Sequence, residues 1–296
     1  MRRLSVLSAA MLLAVAGCSQ PRPTGAPGSA AVSSSVSPPA GGYAAQIELP
    51  FGKVINHLAG VAVDTTGDVY VLDSYYGQVW KLAPGGNRPV TLAFGDIGRV
   101  FSVAVDVKGA LYVIDDLGRR VLRLDPGVGT PTVLPFTGLK RPACVSVDAA
   151  GNVYVSDSDD SQVLKLAPGA GNANPVPFTG LKEPSGLAAG ADGTVYVIDR
   201  ATKQVLKSPA GVGNPSVLPF DGVKLPAGVT VDGAGNVYVS DFSAGHVLKL
   251  TAGAAKPSAL PFTGLKNPDE IAVDGSGNVY VLDSSNFRVL KLPRQR

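Results

Sequence analysis

The feature that most restricts what this chain can fold into is a phrase that returns every 42 residues. Gly151-Asn152-Val153-Tyr154-Val155-Ser156-Asp157 is one copy. Its tyrosine recurs as Tyr70, Tyr112, Tyr196, Tyr238 and Tyr280, and its aspartate as Asp73, Asp115, Asp199, Asp241 and Asp283. A period of about 40–50 residues, built from short β-branched and aromatic runs separated by turn residues, is that of a propeller blade. Six copies in the sequence predict an all-β, six-bladed β-propeller with four antiparallel strands per blade. The length of 296 residues would by itself suggest two domains, but one unbroken period argues for a single ring behind a leader.

Within one period four apolar runs alternate with turn signals. Around the fifth repeat they are Val229–Val231, Val237–Val239, Val247–Leu250, and Val217-Leu218-Pro219-Phe220 of the preceding linker. Asp232-Gly233-Ala234-Gly235-Asn236 joins the first two with hairpin chemistry, since Gly and Asn tolerate positive φ. Named A to D outward from the axis, these strands place Pro219 in D, and proline is tolerated on an edge strand. Strands A, B and C occur six times and end with Val289–Leu292, with no D after them. The missing strand stands at the other end: Gln46–Phe51 reads like Ser258–Phe262 and precedes the first A. The N-terminal strand therefore completes the last blade, closes the ring and removes an open edge.

Ahead of the ring, Arg2-Arg3 and the apolar run Leu4–Ala16 read as a secretory signal, too short to span a bilayer. Val15-Ala16-Gly17-Cys18 resembles the bacterial lipobox, which implies a signal peptide over 1–17 and acylation of Cys18. An ordinary signal peptide with an incidental cysteine is the other reading. Ser19–Gly42 is Pro, Ser, Ala and Gly with almost no large apolar side chain, so 18–44 is expected to be a lipidated cysteine and a disordered tether, and 45–296 the propeller. The expected location is the extracytoplasmic face of the cell membrane, reached through acyl chains on Cys18.

Net charge is +3, and Lys and Arg are spread through the repeats, which excludes a nucleic-acid footprint. Cys18 and Cys144 form no disulfide framework, and the body of the chain carries no transmembrane span.

Phrases such as Leu265-Lys266-Asn267-Pro268, Ile271-Ala272-Val273-Asp274 and Gly277-Asn278-Val279-Tyr280-Val281-Leu282-Asp283 resemble the NHL-repeat family of six-bladed propellers over residues 45 to 292. The resemblance is greatest to the extracellular sensor domain of mycobacterial serine/threonine kinases of the PknD type. It implies a binding or sensing module, not a catalyst, with no cofactor.

The six aspartates that end strand B occur in every repeat, which favours structure over catalysis: a short carboxylate at a strand end accepts backbone N–H groups of the following turn. The repeated tyrosines read as packing residues. At the end of strand A, Asp64, Asp106, Asp148, Asp232 and Asp274 match, while the fourth repeat has Gly190, which predicts a relaxed hairpin there.

Six-bladed propellers also include metal-dependent lactonases and lyases whose metal sits at the channel mouth. The equivalent positions are Ala59-Gly60, Phe101-Ser102, Ala143-Cys144, Ser185-Gly186, Ala227-Gly228 and Asp269-Glu270. Only Asp269, Glu270 and Cys144 could ligate, fewer than a converging metal set needs, so no metal site is expected. Cys144 reads as a small buried residue. His246 falls where other repeats have Gln or Arg, an ordinary polar strand position, whereas His57 lies in a loop that departs from the repeat.

Blades one and two break the pattern most. Their D–A loops supply Asn56, His57, Arg99 and Phe101, and their B–C loops supply Tyr75, Tyr76, Leu117 and Arg119. Aromatic and Arg anchors are enriched at binding hot spots, so this sector of one rim is the candidate site for a protein or small ligand. Drift in a tolerant loop is the other reading. The function read from sequence is thus a lipid-anchored binding or sensing module, expected to be monomeric. The alternatives are a lyase or lactonase-like enzyme using Asp269, Glu270 and His57, and an envelope scaffold or adhesin.

Overall fold

The structure, a computed structural model, describes residues 42–52, 55, 57–95, 97–210 and 214–295. The signal segment, Cys18, most of the tether and Asn56 lie outside the described residues.

Six four-stranded antiparallel sheets form the ring. In blade three they are A, Pro142–Val147; B, Val153–Asp157; C, Gln162–Leu166; and D, Asn174–Pro175. The A strands of the other blades are Leu58–Val63, Val100–Val105, Pro184–Ala189, Pro226–Val231 and Pro268–Val273. They begin at the proline of the Leu/Val-Lys-x-Pro phrase in blades three to six, earlier than the apolar run suggests, because the first strand position needs no ladder N–H. Each pairs with strand B through a register shift just after its start, as between Pro268 and Ile271. Such a bulge re-aims side chains, and here it carries the residues nearest the axis.

Every residue of every B strand is buried, from Val69–Asp73 to Val279–Asp283. These strands are packed on both faces by neighbouring blades. Tyr70 and Leu72 of blade one pack with Val103 and Val113 of blade two, and the series returns to its start where Val61 and Val71 meet Ala272, Tyr280 and Leu282 of blade six. In five blades the repeated tyrosine donates its phenol to the aspartate that follows strand A, as Tyr154 to Asp148 at 3.0 Å; in blade four Gly190 stands in that place. The tyrosine ring lies under the cross-strand cation of strand C, Lys165 at 5.4 Å in blade three. Burial and then the Asp106 carboxylate push the Tyr112 phenol up to about 12.

Strand D is shorter than the apolar runs imply. It is Ser216–Val217 in blade four, and Pro219 lies beyond it. The Leu-Pro-Phe segment instead turns inward: the Phe220 amide bonds the Leu218 carbonyl at 2.8 Å, and the buried Phe220 fills the wedge between blades four and five. Pro175 is the proline that does sit in a D strand.

Ile47–Glu48 pairs antiparallel with Arg288–Leu292, so the N-terminal strand completes blade six. The clasp begins earlier than residue 45. Tyr43 bridges to Arg294, the Gln295 amide bonds the Gly42 carbonyl at 2.8 Å, and Tyr43 is buried beside Tyr238 and Leu290. It is the first large apolar side chain after the small-residue stretch, and its burial extends the ring by three residues.

Gly190 does not relax its hairpin. The Gly190 amide bonds the Thr194 carbonyl at 2.7 Å, as Asp148 bonds Asn152 at 3.1 Å, and Asp192 takes the Thr194 amide and hydroxyl in place of the missing carboxylate.

Candidate functional site

Strand direction puts the D–A and B–C loops of all six blades on one face and the A–B hairpins on the other. Buried aspartates at the ends of the B strands organise the loop face. In blades three to five each carboxylate accepts two amides from the D–A loop: Asp157 from Lys140 and Arg141 at 2.8 and 2.9 Å, Asp199 from Lys182 and Glu183, Asp241 from Lys224 and Leu225. The expected bond to the following turn is made by Asp73 to Tyr75 and Tyr76, by Asp115 to Gly118 and by Asp241 to Ala244. The long-range partners dominate in the blades with the Leu/Val-Lys-x-Pro phrase, because that rigid turn delivers two successive amides to one carboxylate. These aspartates are structural. Arg120 and Arg288 of strand C ion-pair with Asp115 and Asp283 at 2.8 and 2.7 Å, and His246 stands opposite Asp241 at the same position.

The fixed loops stack side chains in rings around the axis. The outermost contains His57, Arg99, Arg141, Glu183, Leu225 and Asn267, whose carbonyls each accept the amide of the residue after the strand-B aspartate. Below it come Ala59, Phe101, Ala143, Ser185, Ala227 and Asp269, all of which line a mouth chamber of about 510 Å³. The next ring is Gly60, Ser102, Cys144, Gly186, Gly228 and Glu270. Five of these are small, and Glu270 alone borders both the mouth chamber and a second cavity of about 200 Å³ further along the channel.

The two carboxyls are held there by backbone packing. Ser240 accepts the Gly228 amide at 2.8 Å and donates to the Asp269 carbonyl, tying the bulges of blades five and six together. A Cβ at Gly228 would stand 2.7 Å from the Asp269 carbonyl oxygen and 2.9 Å from the Glu270 Cα, so that approach requires glycine. Burial raises the Asp269 carboxyl to about 6, against the opposing pull of Arg200. Burial, then the Asp269 charge, raises Glu270 to about 8. Burial and the Glu270 charge push the Cys144 thiol up to about 12, leaving it inert.

Of the residues expected at a partner site, Arg99 and Phe101 line the chamber together with Asp269 and Glu270. Arg99 lies 4.8 Å over the Phe101 ring and pairs with Asp116 at 2.6 Å. His57, Tyr75, Tyr76, Leu117 and Arg119 do not line it; they crown the surrounding rim. His57 stacks on Tyr75 at 5.1 Å, Tyr76 meets Tyr75 edge-on at 5.0 Å, and Tyr75 and Leu117 are each 71% exposed. His57 therefore does not join Asp269 and Glu270.

Several residues on this face were not singled out from the sequence. Phe287, in the B–C loop of blade six, is 61% exposed beside blade one. Its signal was a bulky side chain at a turn position held by glycine in blades one and five, where it takes φ 52°. Arg200 and Phe242 line the chamber at the position after the strand-B aspartate, where Ser74 and Ser158 stand in other blades. Arg141 also lines it, bound to Asp159 at 2.8 Å and Glu183 at 3.4 Å.

Among the described residues no three His, Cys, Asp or Glu side chains are grouped to hold a metal ion, and three arginines line the chamber along with the carboxyl pair.

No protein-family model matches the sequence, and no curated protein matches it. Among solved structures the chain is similar to a streptogramin B lyase, at 14% identity over 85% of this chain and 98% of that one, with a TM-score of 0.63. It is similar to a gluconolactonase from Xanthomonas campestris at 16% identity over 81% and 86%, TM-score 0.68. A chain of the nidogen/laminin complex aligns at 21% identity over 73% and 84%, TM-score 0.65. At these identities what is shared is the fold, and the chain is an all-β six-bladed propeller of the architecture that these lyase, lactonase and complex-forming proteins use.

Proposed function

We propose that this protein is an extracytoplasmic binding module, of the kind its NHL-like repeats suggest, that engages a protein partner through the loop rim of blades six, one and two. The observation that carries this reading is the gathering of exposed apolar side chains into one sector: the His57–Tyr75–Tyr76 stack, Leu117 and Phe287. The B–C loops of blades three and four offer Asp159, Asp160 and Lys203 instead. Large exposed aromatics at one edge of a rigid face are the usual anchors of an interface. Cys18, acylated after removal of residues 1–17, would hold the module at the membrane.

The test replaces Tyr75, Tyr76 and Leu117 together by alanine. Binding to the cognate partner should weaken by roughly 3–5 kcal/mol in total, with Lys182→Ala plus Lys203→Ala as the control on the opposite sector. Equal loss in test and control would overturn the reading. Cys18→Ala should abolish detergent-phase partitioning, and unchanged partitioning would remove the anchor from it.

A second reading, a lyase or lactonase-like enzyme, draws on the mouth chamber with its two carboxyls and on the shared fold. Turnover of a lactone or of a glycosidic or peptide-derived substrate, lost in both Asp269→Asn and Glu270→Gln, would establish it in place of the first.

A further inference from the structure

The charged groups that line the mouth chamber fall into two sets. Arg99 is taken up by Asp116, and Arg141 by Asp159 and Glu183. Arg200, Asp269 and Glu270 make no ion pair among the described residues. Arg200 is close enough to pull down the Asp269 carboxyl, yet the two do not meet. They belong to blades four and six, and blade five intervenes. That blade contributes only apolar residues to the chamber wall: Leu225, Pro226, Ala227 and Phe242. The chamber thus presents a cation on one side, a carboxyl pair on the other and an apolar strip between.

A half-buried carboxyl with no counter-charge is an unfavourable arrangement, and Glu270 is the one long side chain in a ring of small ones. The bulge, the Ser240 bonds and the glycine requirement at 228 all fix that arrangement in place. A ligand that carries both charges relieves both sides at once. Arg offers a planar fork suited to a carboxylate, and an ammonium is a compact point charge that two neighbouring carboxyls can share.

We infer that the axial chamber binds a compact zwitterion, an amino-carboxylate of the size of an amino acid or dipeptide, with its carboxylate on Arg200, its ammonium on Asp269 and Glu270, and its carbon skeleton against Phe242 and Ala227. The site stands apart from the rim contact, which uses other side chains. A chamber of about 510 Å³ accommodates such a ligand with its first waters.

The experiment screens the full chain against the standard amino acids and a set of dipeptides by thermal shift, followed by calorimetry on those that stabilise it. Each binding compound is then compared with its N-acetyl and C-amide forms. Either cap is expected to weaken binding at least about tenfold. Arg200→Gln should erase the discrimination against the C-amide alone, and Asp269→Asn or Glu270→Gln the discrimination against the N-acetyl form alone. The Tyr75, Tyr76 and Leu117 triple variant should bind the zwitterion as the parent does, so failure of the rim reading and failure of this one are separable. Absence of any stabilising zwitterion at millimolar concentration would overturn the inference. So would equal binding of capped and free forms, or an Arg200→Gln variant that keeps the parent's full discrimination.

Discussion

Glu270→Gln should make the ring more stable at alkaline pH and leave it unchanged at acid pH. The Glu270 carboxyl moves from an ordinary 4.5 to about 8, chiefly through burial and then through Asp269. Between those values the folded chain holds a proton that the unfolded chain has released, so wild-type stability falls as pH rises through the window. At about 1.4 kcal/mol per pH unit the window sets an upper bound of roughly 5 kcal/mol. The carboxyl faces a channel open to water, and screening there reduces the expected effect to about 1–2 kcal/mol. Glutamine keeps the shape and removes the titration. At roughly 2–4 °C per kcal/mol for a ring of this size, the variant should gain about 3–6 °C in Tm at pH 8.5 and nothing near pH 4. The assay is thermal unfolding of both proteins at matched ionic strength from pH 4 to 9. Asp269→Asn should narrow the window from its upper end, since the Asp269 charge is one of the causes holding Glu270 up. Parallel curves for wild type and Glu270→Gln would refute the reasoning.

Asp157→Ala removes the buried carboxylate that takes the Lys140 and Arg141 amides and should cost about 1–3 kcal/mol by urea unfolding, while Asp159→Ala, which pairs with the exposed Arg141, should cost less than about 0.5 kcal/mol. Removing residues 42–51 takes away the closing strand and the buried Tyr43 and Phe51, and should lower Tm far more than removing 19–39; Phe51→Ala alone should cost about 3–5 kcal/mol. Gly228→Ala drives a methyl into the blade-six bulge; it should destabilise by about 1–3 kcal/mol and shift the pH window of the Glu270 comparison.

The ring was legible in the sequence because a repeat states its own geometry: each Tyr and Asp names a position whose partners are fixed by the next copy. Closure was legible for the same reason, since a strand missing at one end and supplied at the other has one arrangement. Strand D was overread, because Leu-Pro-Phe has the composition of a strand while its proline removes the amide a ladder needs; the phenylalanine packs between blades instead. The strand-B aspartates were read as structural through the turn that follows them, which holds for Asp73, Asp115 and Asp241, but Asp157 and Asp199 take amides 16 or 17 residues earlier in the chain, beyond the reach of local turn rules. Asp269 and Glu270 could be placed at the mouth by register alone. Arg200 could not, because its meaning depends on what stands across the axis from it, and Arg99 and Arg141 differ from it only in having neighbours that neutralise them.

The direction of the strands decides which face of this ring is available. The chain enters at Gly42 and Tyr43 beside Arg294, whose amide bonds the side chain of Asn278 in an A–B hairpin. From there Ile47–Glu48 runs toward the loop face, parallel to no neighbour and antiparallel to Arg288–Leu292. Gly42 and Tyr43 therefore lie at the hairpin face, and the chamber opens on the other. The two faces also differ in how they are built. The hairpin face repeats one Asp–Tyr bond in five blades, from Asp64 and Tyr70 to Asp274 and Tyr280, and carries little that distinguishes one blade from the next. The loop face keeps its aspartate scaffold constant and varies what the scaffold holds up: His57 against Arg141, Tyr75 against Asp159, Asp269 against Ala227. The hairpin face tolerates loss of that bond, since blade four keeps its hairpin with Gly190 in place of the aspartate, so what distinguishes one blade from the next is concentrated on the loop face.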